Sequence, residues 1–231
     1  MEGDPAVTLE FVEYPDREML ALSLAGKIAS QLSQHLRVNE TASLCVPGGT
    51  TPAPAFDTLS GTEQLDWSRV TVFLNDERWV DGDHTRSNSR LLRRHLLTDK
   101  AQGASYIDLY TGDARPEDAA PALSEAIAPH LPITVLLLGM GNDMHTASLF
   151  PGAPETELAL ASDAPLVMAV RSVKDEPRIT LTAPALQNAI HTHLMITGPD
   201  KRAALERAQS LDARVAPIRA FLGDVTVHWA E

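Results

Sequence analysis

The sequence predicts an α/β protein built on an open, mostly parallel, Rossmann-like sheet with helices on both faces. Short apolar runs alternate along the chain with longer stretches in which apolar residues recur at helical spacing. Several apolar runs end in a glycine-containing turn that leads into a helix, as in a strand–helix unit. The 231 residues can bury a large core, and no repeat, linker or change of composition divides them. We therefore expect a single domain over residues 1–231.

The first part of the chain predicts three strands and two helices. A strand is expected over Thr8–Val12, followed by a helix over Pro15–Leu36. This helix carries one apolar stripe, formed by Leu20, Leu24, Ile28 and Leu32. The apolar run Ser43–Val46 ends at a glycine turn and predicts a short strand, with a helix from about Pro52 to Leu59 after it. Val70–Leu74 is the third apolar run and the third predicted strand.

The rest of the chain repeats this alternation. Ser87–Leu97 is predicted as a helix with four inward leucines, and Glu117–His130 as another. Ile133–Leu138 is an uninterrupted apolar run, which is typical of a buried parallel strand. The remaining predictions are the strands Leu166–Val170, Thr192–Thr197 and Val225–Trp229, the helix Asp200–Ser210, and loops over Asp76–Arg86 and Pro151–Pro165.

Composition limits the classes of partner and the compartment. The formal net charge of −12 is spread along the chain, which argues against nucleic acid or an anionic membrane as the main partner. The single Cys45 lies in an apolar run, so we expect a buried strand cysteine and no disulfide framework. The first residues, Met1–Pro5, carry no basic and apolar leader, and no apolar run is long enough to span a bilayer. We expect a cytoplasmic protein.

The segment Gly139–Gly152 is the strongest candidate for an active site. It follows the predicted strand Ile133–Leu138 and places Asp143 and His145 two residues apart. Ligands of open α/β sheets lie beyond the carboxyl ends of the strands, and histidine titrates near neutral pH, which suits it to proton transfer. Ser148 could pair with His145, but no Gly-x-Ser-x-Gly turn presents its hydroxyl.

Three further segments follow predicted strands and could bind an anion. The loop formed by Gly48, Gly49, Thr50 and Thr51 precedes a helix, with Thr51 as the expected N-cap and Pro52 at the first helical position. Such a loop can bind phosphate or can simply form a tight turn with a capped helix. Asp76 and Arg78 could orient a substrate or could be a solvated ion pair. Lys201 in a first helical turn and Arg178 near a strand edge are further candidate cations.

Together these segments resemble the family of 6-phosphogluconolactonase and glucosamine-6-phosphate isomerase/deaminase. The resemblance rests on Gly48-Gly49-Thr50-Thr51-Pro52, on Asp76-Glu77-Arg78 with Ser87-Asn88 downstream, on Gly139–Gly152, and on Gly198 with Lys201, in that order. It extends from the first strand to about Ser210. Met144 differs from the family pattern, in which glycine is more common between the acid and the histidine.

The resemblance implies an enzyme with no metal or organic cofactor, acting on a small sugar-phosphate lactone. For the oligomeric state, the sequence leaves a monomer and a homodimer open. The Gly48–Thr50 loop, Arg178 and Lys201 would bind the 6-phosphate. Asp76 and Arg78 would line the site near the sugar. His145 would be the acid/base, with Asp143 or Asp76 orienting its ring.

The deaminase relatives carry a glutamate where this chain has Phe150, which favours a lactonase over an isomerase. A sugar-phosphate isomerase or deaminase and a non-catalytic sugar-phosphate sensor remain the alternatives. A sensor of the regulator type would need a basic DNA-binding segment, and the sequence has no such segment.

Overall fold

The computed structural model describes residues 9–172 and 176–231 and has the predicted α/β architecture. Its strands are β1 (Glu10–Glu13), β2 (Ala42–Val46), β3 (Val70–Leu74), β4 (Asp76–Arg78), β5 (Ser105–Ile107), β6 (Val135–Leu138), β7 (Val167–Val170), β8 (Arg178–Leu181), β9 (His191–Thr197) and β10 (Val225–Ala230). Its helices are α1 (Arg17–His35), α2 (Ala53–Ser60), α3 (Asn88–His95), α4 (Pro116–Ile127), α5 (Pro154–Leu160), α6 (Ala183–Leu186) and α7 (Pro199–Ala208).

The main sheet has seven strands, all parallel, in the order β1-β10-β9-β6-β2-β3-β5. Every residue of β2, β3, β6 and β10 is buried. Since successive side chains of a strand point to opposite faces, helices must cover both faces of the sheet. The chain moves from β2 to β3 and β5 on one side, and later to β6, β9 and β10 on the other. The carboxyl ends of β2 and β6 therefore flank the topological switch point, where open α/β sheets bind ligands.

A second, antiparallel sheet of three strands lies at the carboxyl end of β3, in the order β4-β8-β7. Asn75 joins the two sheets, because its N–H donates to Val46 O at 2.9 Å while its carbonyl accepts from Leu181 N at 2.9 Å. In this small sheet Arg78 is paired with Arg178, and Asp76 with Thr180. Two segments about 100 residues apart in sequence are thus brought to the same edge of the main sheet.

The structure confirms the main predicted elements, with small shifts at their ends. Thr8 lies outside the described residues. The helix predicted over Glu117–His130 is α-helical only to Ile127 and then tightens into a 3₁₀ turn. None of the helices in the described ranges is both long and apolar enough to cross a membrane.

Three predictions were wrong in detail. The segment Asp76–Arg86 was expected to be a loop but begins with β4, and Pro151–Pro165 contains α5. The strands β5 and β8 and the helix α6 were not predicted. These elements have three to seven residues, and β4 and β8 pair with each other across about 100 residues, so no local hydrophobic period marks them.

The third error concerns the start of α2. Thr51 was expected to cap this helix, but α2 begins at Ala53 with Pro52 in the cap position and no side-chain cap. The hydroxyl group of Thr51 is therefore not used by the helix. Thr51 instead lines the pocket described next.

Candidate active site

Four neighbouring strands deliver the loops that the sequence singled out. In the order β9, β6, β2 and β3, their carboxyl ends lead to Gly198, Gly139, Gly48 and Asp76. Adjacent strands lie about 4.8 Å apart, so the four loops span roughly 15 Å. They enclose a cavity of 210 Å³. This size suits a small polar molecule.

His145 and Asp143 form a hydrogen-bonded pair at the end of β6. The Nδ1 atom of His145 lies 2.5 Å from Asp143 Oδ1, and the His145 backbone N–H donates to the same oxygen at 3.2 Å. A carboxylate only accepts, so in the neutral ring Nδ1 carries the proton and Nε2 carries the lone pair. The hydrogen bond from His145 lowers the pKa of Asp143, which keeps that carboxylate ionised. The imidazole is thus oriented for general base chemistry.

The backbone between these two residues adopts a conformation that is unusual for its sequence. Met144 has φ +69°, in the left-handed region that L-residues other than glycine rarely enter. The turn is closed by Met144 N donating to Gly141 O and by Gly141 N donating to His145 O, both at 3.0 Å. The tight turn is therefore formed with methionine at a left-handed position, at the cost of local strain.

Gly141 is required by the close approach of the His145–Asp143 pair. A Cβ at this position would lie 2.2 Å from His145 Nδ1 and 2.4 Å from Asp143 Oδ1. Both distances are far below van der Waals contact, so any side chain would displace the pair. Gly139, on the same loop, would place a Cβ at an ordinary 3.8 Å from Pro47. In the Gly139-Met140-Gly141 sequence it is therefore Gly141 that leaves room for the histidine.

The loop after β2 forms the opposite wall of the cavity. Gly48, Gly49 and Thr51 line it, and Gly49 has φ +84°. A Cβ on Gly48 would lie 2.0 Å from Asn88 Cγ, so the loop packs directly against the Asn88 side chain. Asn88 also lines the cavity and donates from Nδ2 to Asp76 O at 3.0 Å. Thr50 lies just outside this cavity and lines an adjoining groove instead.

Lys201 reaches the cavity from the first turn of α7. Gly198, with φ +82°, turns the chain out of β9, and Pro199 begins the helix. Partial burial lowers the pKa of Lys201, while the nearby Asp143 carboxylate opposes this change. An anion bound in the cavity would favour the charged amine, as the Asp143 carboxylate does. Such an anion would offset the unfavourable interaction between a lysine in the first turn and the helix dipole.

Arg178 and Asp76 lie side by side at the junction of the two sheets. Arg178 Nη1 is 3.8 Å from Asp76 Oδ2, and Ser148 Oγ donates to that same oxygen at 2.6 Å. Burial lowers the pKa of the Arg178 guanidinium, and the Asp76 carboxylate partly offsets this. Ser148, considered above as a partner of His145, thus uses its proton to hold Asp76. Asp76 is directed toward the arginine, and the imidazole is oriented by Asp143.

Two arginine nitrogens in the cavity wall are suited to an added acceptor. Arg78 donates from Nη1 to Arg86 O at 2.6 Å, but its buried Nε has no hydrogen-bond partner among the described residues. The buried Nε of Arg178 is also unpaired within the described ranges. An unsatisfied buried donor costs about 1–3 kcal/mol. An anionic ligand that accepts from these arginines would recover that cost.

Phe150 packs behind the site and contacts two of its residues. Its ring lies 4.7 Å from the His145 imidazole, with an interplanar angle of 30°. The Arg178 guanidinium carbon lies 5.3 Å from the centroid of the same ring. One aromatic side chain therefore supports both the imidazole and the guanidinium.

The structure brings all the predicted site residues to one place. Eight line the cavity, namely Gly48, Gly49, Thr51, Asp76, Arg78, His145, Arg178 and Lys201. Asp143 supports His145, and Thr50 lines the adjoining groove. The sequence assigned no role to Gly141 or Asn88, and it offered Ser148 only as a partner of His145. Asn88 was part of the resembling segments, but only the fold shows its contact with Gly48.

The described residues contain no group of three or more His, Cys, Asp or Glu side chains placed to hold a metal ion. Cys45 is buried in β2, as predicted, and burial raises the pKa of its thiol well above the usual range. These residues offer the site no metal-binding cluster and no reactive thiol.

Comparison with known proteins agrees with this geometry. The family model for glucosamine-6-phosphate isomerases/6-phosphogluconolactonase matches residues 15–229. The 6-phosphogluconolactonase of Pseudomonas aeruginosa is 43% identical over 215 residues, covering 90% of each chain. That of Pseudomonas putida is 39% identical over 221 residues, covering 94% of this chain and 91% of the other.

Solved structures give the same result at the level of the fold. The crystal structure of a 6-phosphogluconolactonase from Shewanella baltica OS155 superposes with a TM-score of 0.93 at 36% identity, covering 98% of this chain and 99% of that one. A 6-phosphogluconolactonase structure from Trypanosoma brucei has a TM-score of 0.78 at 23% identity, covering 97% of each chain, which compares the fold alone. The chain belongs to the glucosamine-6-phosphate isomerase/6-phosphogluconolactonase family.

Proposed function

We propose that this chain hydrolyses 6-phospho-D-glucono-1,5-lactone to 6-phospho-D-gluconate, the lactone-opening reaction of the oxidative pentose phosphate pathway. The observation that carries the proposal is the oriented imidazole of His145, which shares one cavity with Lys201, Arg178 and the Gly48–Gly49 loop. The near-full-length lactonase relatives supply the substrate class. A cationic end for phosphate and a basic end for an ester are the two features that this substrate requires.

The phosphate would bind where the Gly48–Thr51 loop, Lys201 and Arg178 meet. Backbone N–H groups of a glycine loop and two cations suit a dianion. The cavity wall contributes three cationic side chains, those of Arg78, Arg178 and Lys201, against the one carboxylate of Asp76. This local excess is opposite in sign to the net charge of the chain. Binding energy at the phosphate then serves to position the lactone carbonyl.

His145 would act as general base through Nε2. As water attacks C1, the oxygen–carbon bond forms and the water proton passes to Nε2, giving an imidazolium and a tetrahedral oxyanion. Asp143 holds Nδ1–H and stabilises the imidazolium by its negative charge. Arg78 or nearby backbone N–H groups would stabilise the oxyanion.

Collapse of the tetrahedral intermediate completes the reaction. The bond between C1 and the ring oxygen breaks, and the imidazolium of His145 returns its proton to that oxygen. The products are the open-chain acid, which ionises in water, and the neutral imidazole. A lactone is an activated ester, so base catalysis and positioning suffice without a covalent intermediate.

Phe150 supports the lactonase assignment over an isomerase. Opening an aldose ring and moving a proton between carbons requires a second protic group near the base, and the deaminase relatives have a glutamate there. In this chain a hydrocarbon ring is stacked on the imidazole at that place. Glucosamine 6-phosphate is therefore expected to release no ammonia.

A coupled assay tests the proposal. The lactone is formed with glucose-6-phosphate dehydrogenase, and its hydrolysis is measured above the spontaneous background. His145→Ala should lower kcat by about 10²–10⁴-fold while the affinity for 6-phosphogluconate changes little. His35→Ala, at the carboxyl end of α1, is the matched control and should retain wild-type activity. Wild-type protein without activity above background, or a fully active His145→Ala variant, would refute the proposal.

We further propose a cytoplasmic enzyme that works as a monomer or homodimer. A single, buried cysteine suits a reducing compartment, because no intrachain disulfide can form. Sedimentation of the purified protein at several concentrations measures the oligomeric state.

A further inference from the structure

A second groove, of 510 Å³, adjoins the catalytic cavity along α3. Its walls are the Gly49–Thr50 loop, the turn before α3, and the outer face of that helix. Gly49, Arg78 and Asn88 line both the groove and the cavity. The two spaces are therefore continuous at the phosphate end of the candidate active site.

The groove is lined by basic side chains, and none of its lining residues within 9–172 and 176–231 is acidic. Five basic residues contribute to it: Arg78, Arg86, Arg90, Arg94 and His95. Three of them have partners, since Arg78 donates to a backbone carbonyl, Arg86 pairs with Glu176 at 2.9 Å, and His95 pairs with Asp57 at 2.8 Å.

Arg90 and Arg94 differ from these three. Both are exposed, and neither guanidinium has a carboxylate partner among the described residues. They are four residues apart on α3, so they project from the same face. Like charges at this spacing destabilise a helix by about 0.2–0.5 kcal/mol, and α3 has no acidic residue to offset them. In a chain of net charge −12 this is a locally uncompensated positive surface.

We propose that this groove is an anion-capture site, in which Arg90 and Arg94 bind the phosphate of the incoming sugar phosphate before it passes to the Gly48–Thr51 loop. The proposal rests on the proposed function for the identity of the substrate. Arginine binds phosphate through two parallel N–H groups, and Thr50 adds an exposed hydroxyl group at the passage into the cavity. A charged groove beside a site raises the rate of association with an oppositely charged ligand.

The double variant Arg90→Gln/Arg94→Gln tests this role. The matched control is Arg37→Gln/Arg207→Gln, which removes the same charge from exposed positions near the carboxyl ends of α1 and α7. These helices run back along the sheet, so both control positions lie at the edge opposite the active site. Circular dichroism and thermal unfolding check that both variants fold.

The measurement is kcat and kcat/KM for lactone hydrolysis at low and high ionic strength. At low ionic strength the groove variant should lose about three- to tenfold in kcat/KM, with kcat within twofold of wild type. This difference should vanish at high salt, because exposed charges are screened. Groove and control variants with equal kcat/KM at low ionic strength, or a loss that salt does not change, would overturn the proposal.

A second measurement separates this proposal from the proposed function. A wild-type protein without lactonase activity would refute only the latter. The groove would then be decided by titration with inorganic phosphate followed by ³¹P resonance. The affinity for inorganic phosphate should fall in the Arg90→Gln/Arg94→Gln variant and stay unchanged in the Arg37→Gln/Arg207→Gln control. Equal affinities in the two variants would overturn the capture site.

Discussion

Gly141→Ala is a small chemical change for which the structure predicts a large loss of activity. The added Cβ would lie 2.2 Å from His145 Nδ1, 2.3 Å from its Cε1 and 2.4 Å from Asp143 Oδ1. An ordinary contact needs about 3.4 Å, so the imidazole or the carboxylate must move by roughly 1 Å. A displacement of this size at a reacting group costs about 10²-fold in rate. We expect kcat/KM to fall by about that factor.

The fold should tolerate this change. Gly141 is only partly buried and is not among the residues with positive φ, so alanine can adopt its backbone conformation. The assay is coupled lactone hydrolysis, together with thermal unfolding and the inhibition constant of 6-phosphogluconate. Activity should fall while the melting temperature and product affinity stay close to wild type.

Two other glycines provide controls. Gly26→Ala, in α1, meets no atom within 4 Å and should leave activity unchanged. Gly139→Ala, on the catalytic loop, meets only Pro47 at 3.8 Å and should cost much less than Gly141→Ala. Wild-type kcat/KM in Gly141→Ala, or an equal loss in Gly139→Ala, would refute the close-packing argument.

Three further predictions concern the ring behind the site, acid stability and the strained turn. Phe150→Leu removes the ring stacked on the His145 imidazole, so kcat should fall by about tenfold, while Phe150→Tyr keeps the ring and should retain wild-type kcat. Wild-type kcat in the leucine variant would contradict this. Burial lowers the pKa of His193 to about 3 and of His228 to about 4, so below pH 6.5 the unfolded chain binds more protons than the folded one. The free energy of unfolding should therefore fall by roughly 2 kcal/mol per histidine between pH 7 and pH 5. Urea midpoints that are equal at both pH values would exclude this loss of stability. Met144→Gly should retain activity because glycine accepts φ +69°. Met144→Val should lose about 1–2 kcal/mol of stability, because a β-branched residue is strained at this φ. Similar urea midpoints for the two variants would show that this turn is not strained.

The buried histidines in the second of these predictions form one polar chain between the sheet and α1. His193 Nδ1 lies 3.0 Å from His228 Nε2, and His193 Nε2 lies 2.8 Å from Gln31 Oε1. The hydroxyl of Tyr14 is 2.8 Å from His228 Nδ1. With both rings neutral, each hydrogen bond in this chain has one donor and one acceptor. A proton on His193 would place its Nδ1–H against the Nε2–H of His228, whereas the Tyr14 hydroxyl can accept from a protonated His228. Burial is the main cause of the lowered pKa of both rings.

The sequence by itself determined the class of fold and predicted where the candidate site lies. Apolar runs such as Ile133–Leu138 can only be buried, and glycines at their ends place the following polar residues at the carboxyl edge of a parallel sheet. This local information identified His145, Lys201 and the Gly48–Gly49 loop. It is local because strand burial and turn conformation depend mainly on neighbouring residues.

Only the tertiary structure decided how these parts are combined. It assigned Asp143 to the imidazole and Asp76 to Ser148 and Arg178, an alternative that the sequence left open. It also formed β4 and β8, whose pairing joins residues about 100 positions apart. Such contacts depend on the path of the whole chain and leave no period in the sequence. The required absence of a side chain at Gly141 is likewise visible only once the imidazole is in place.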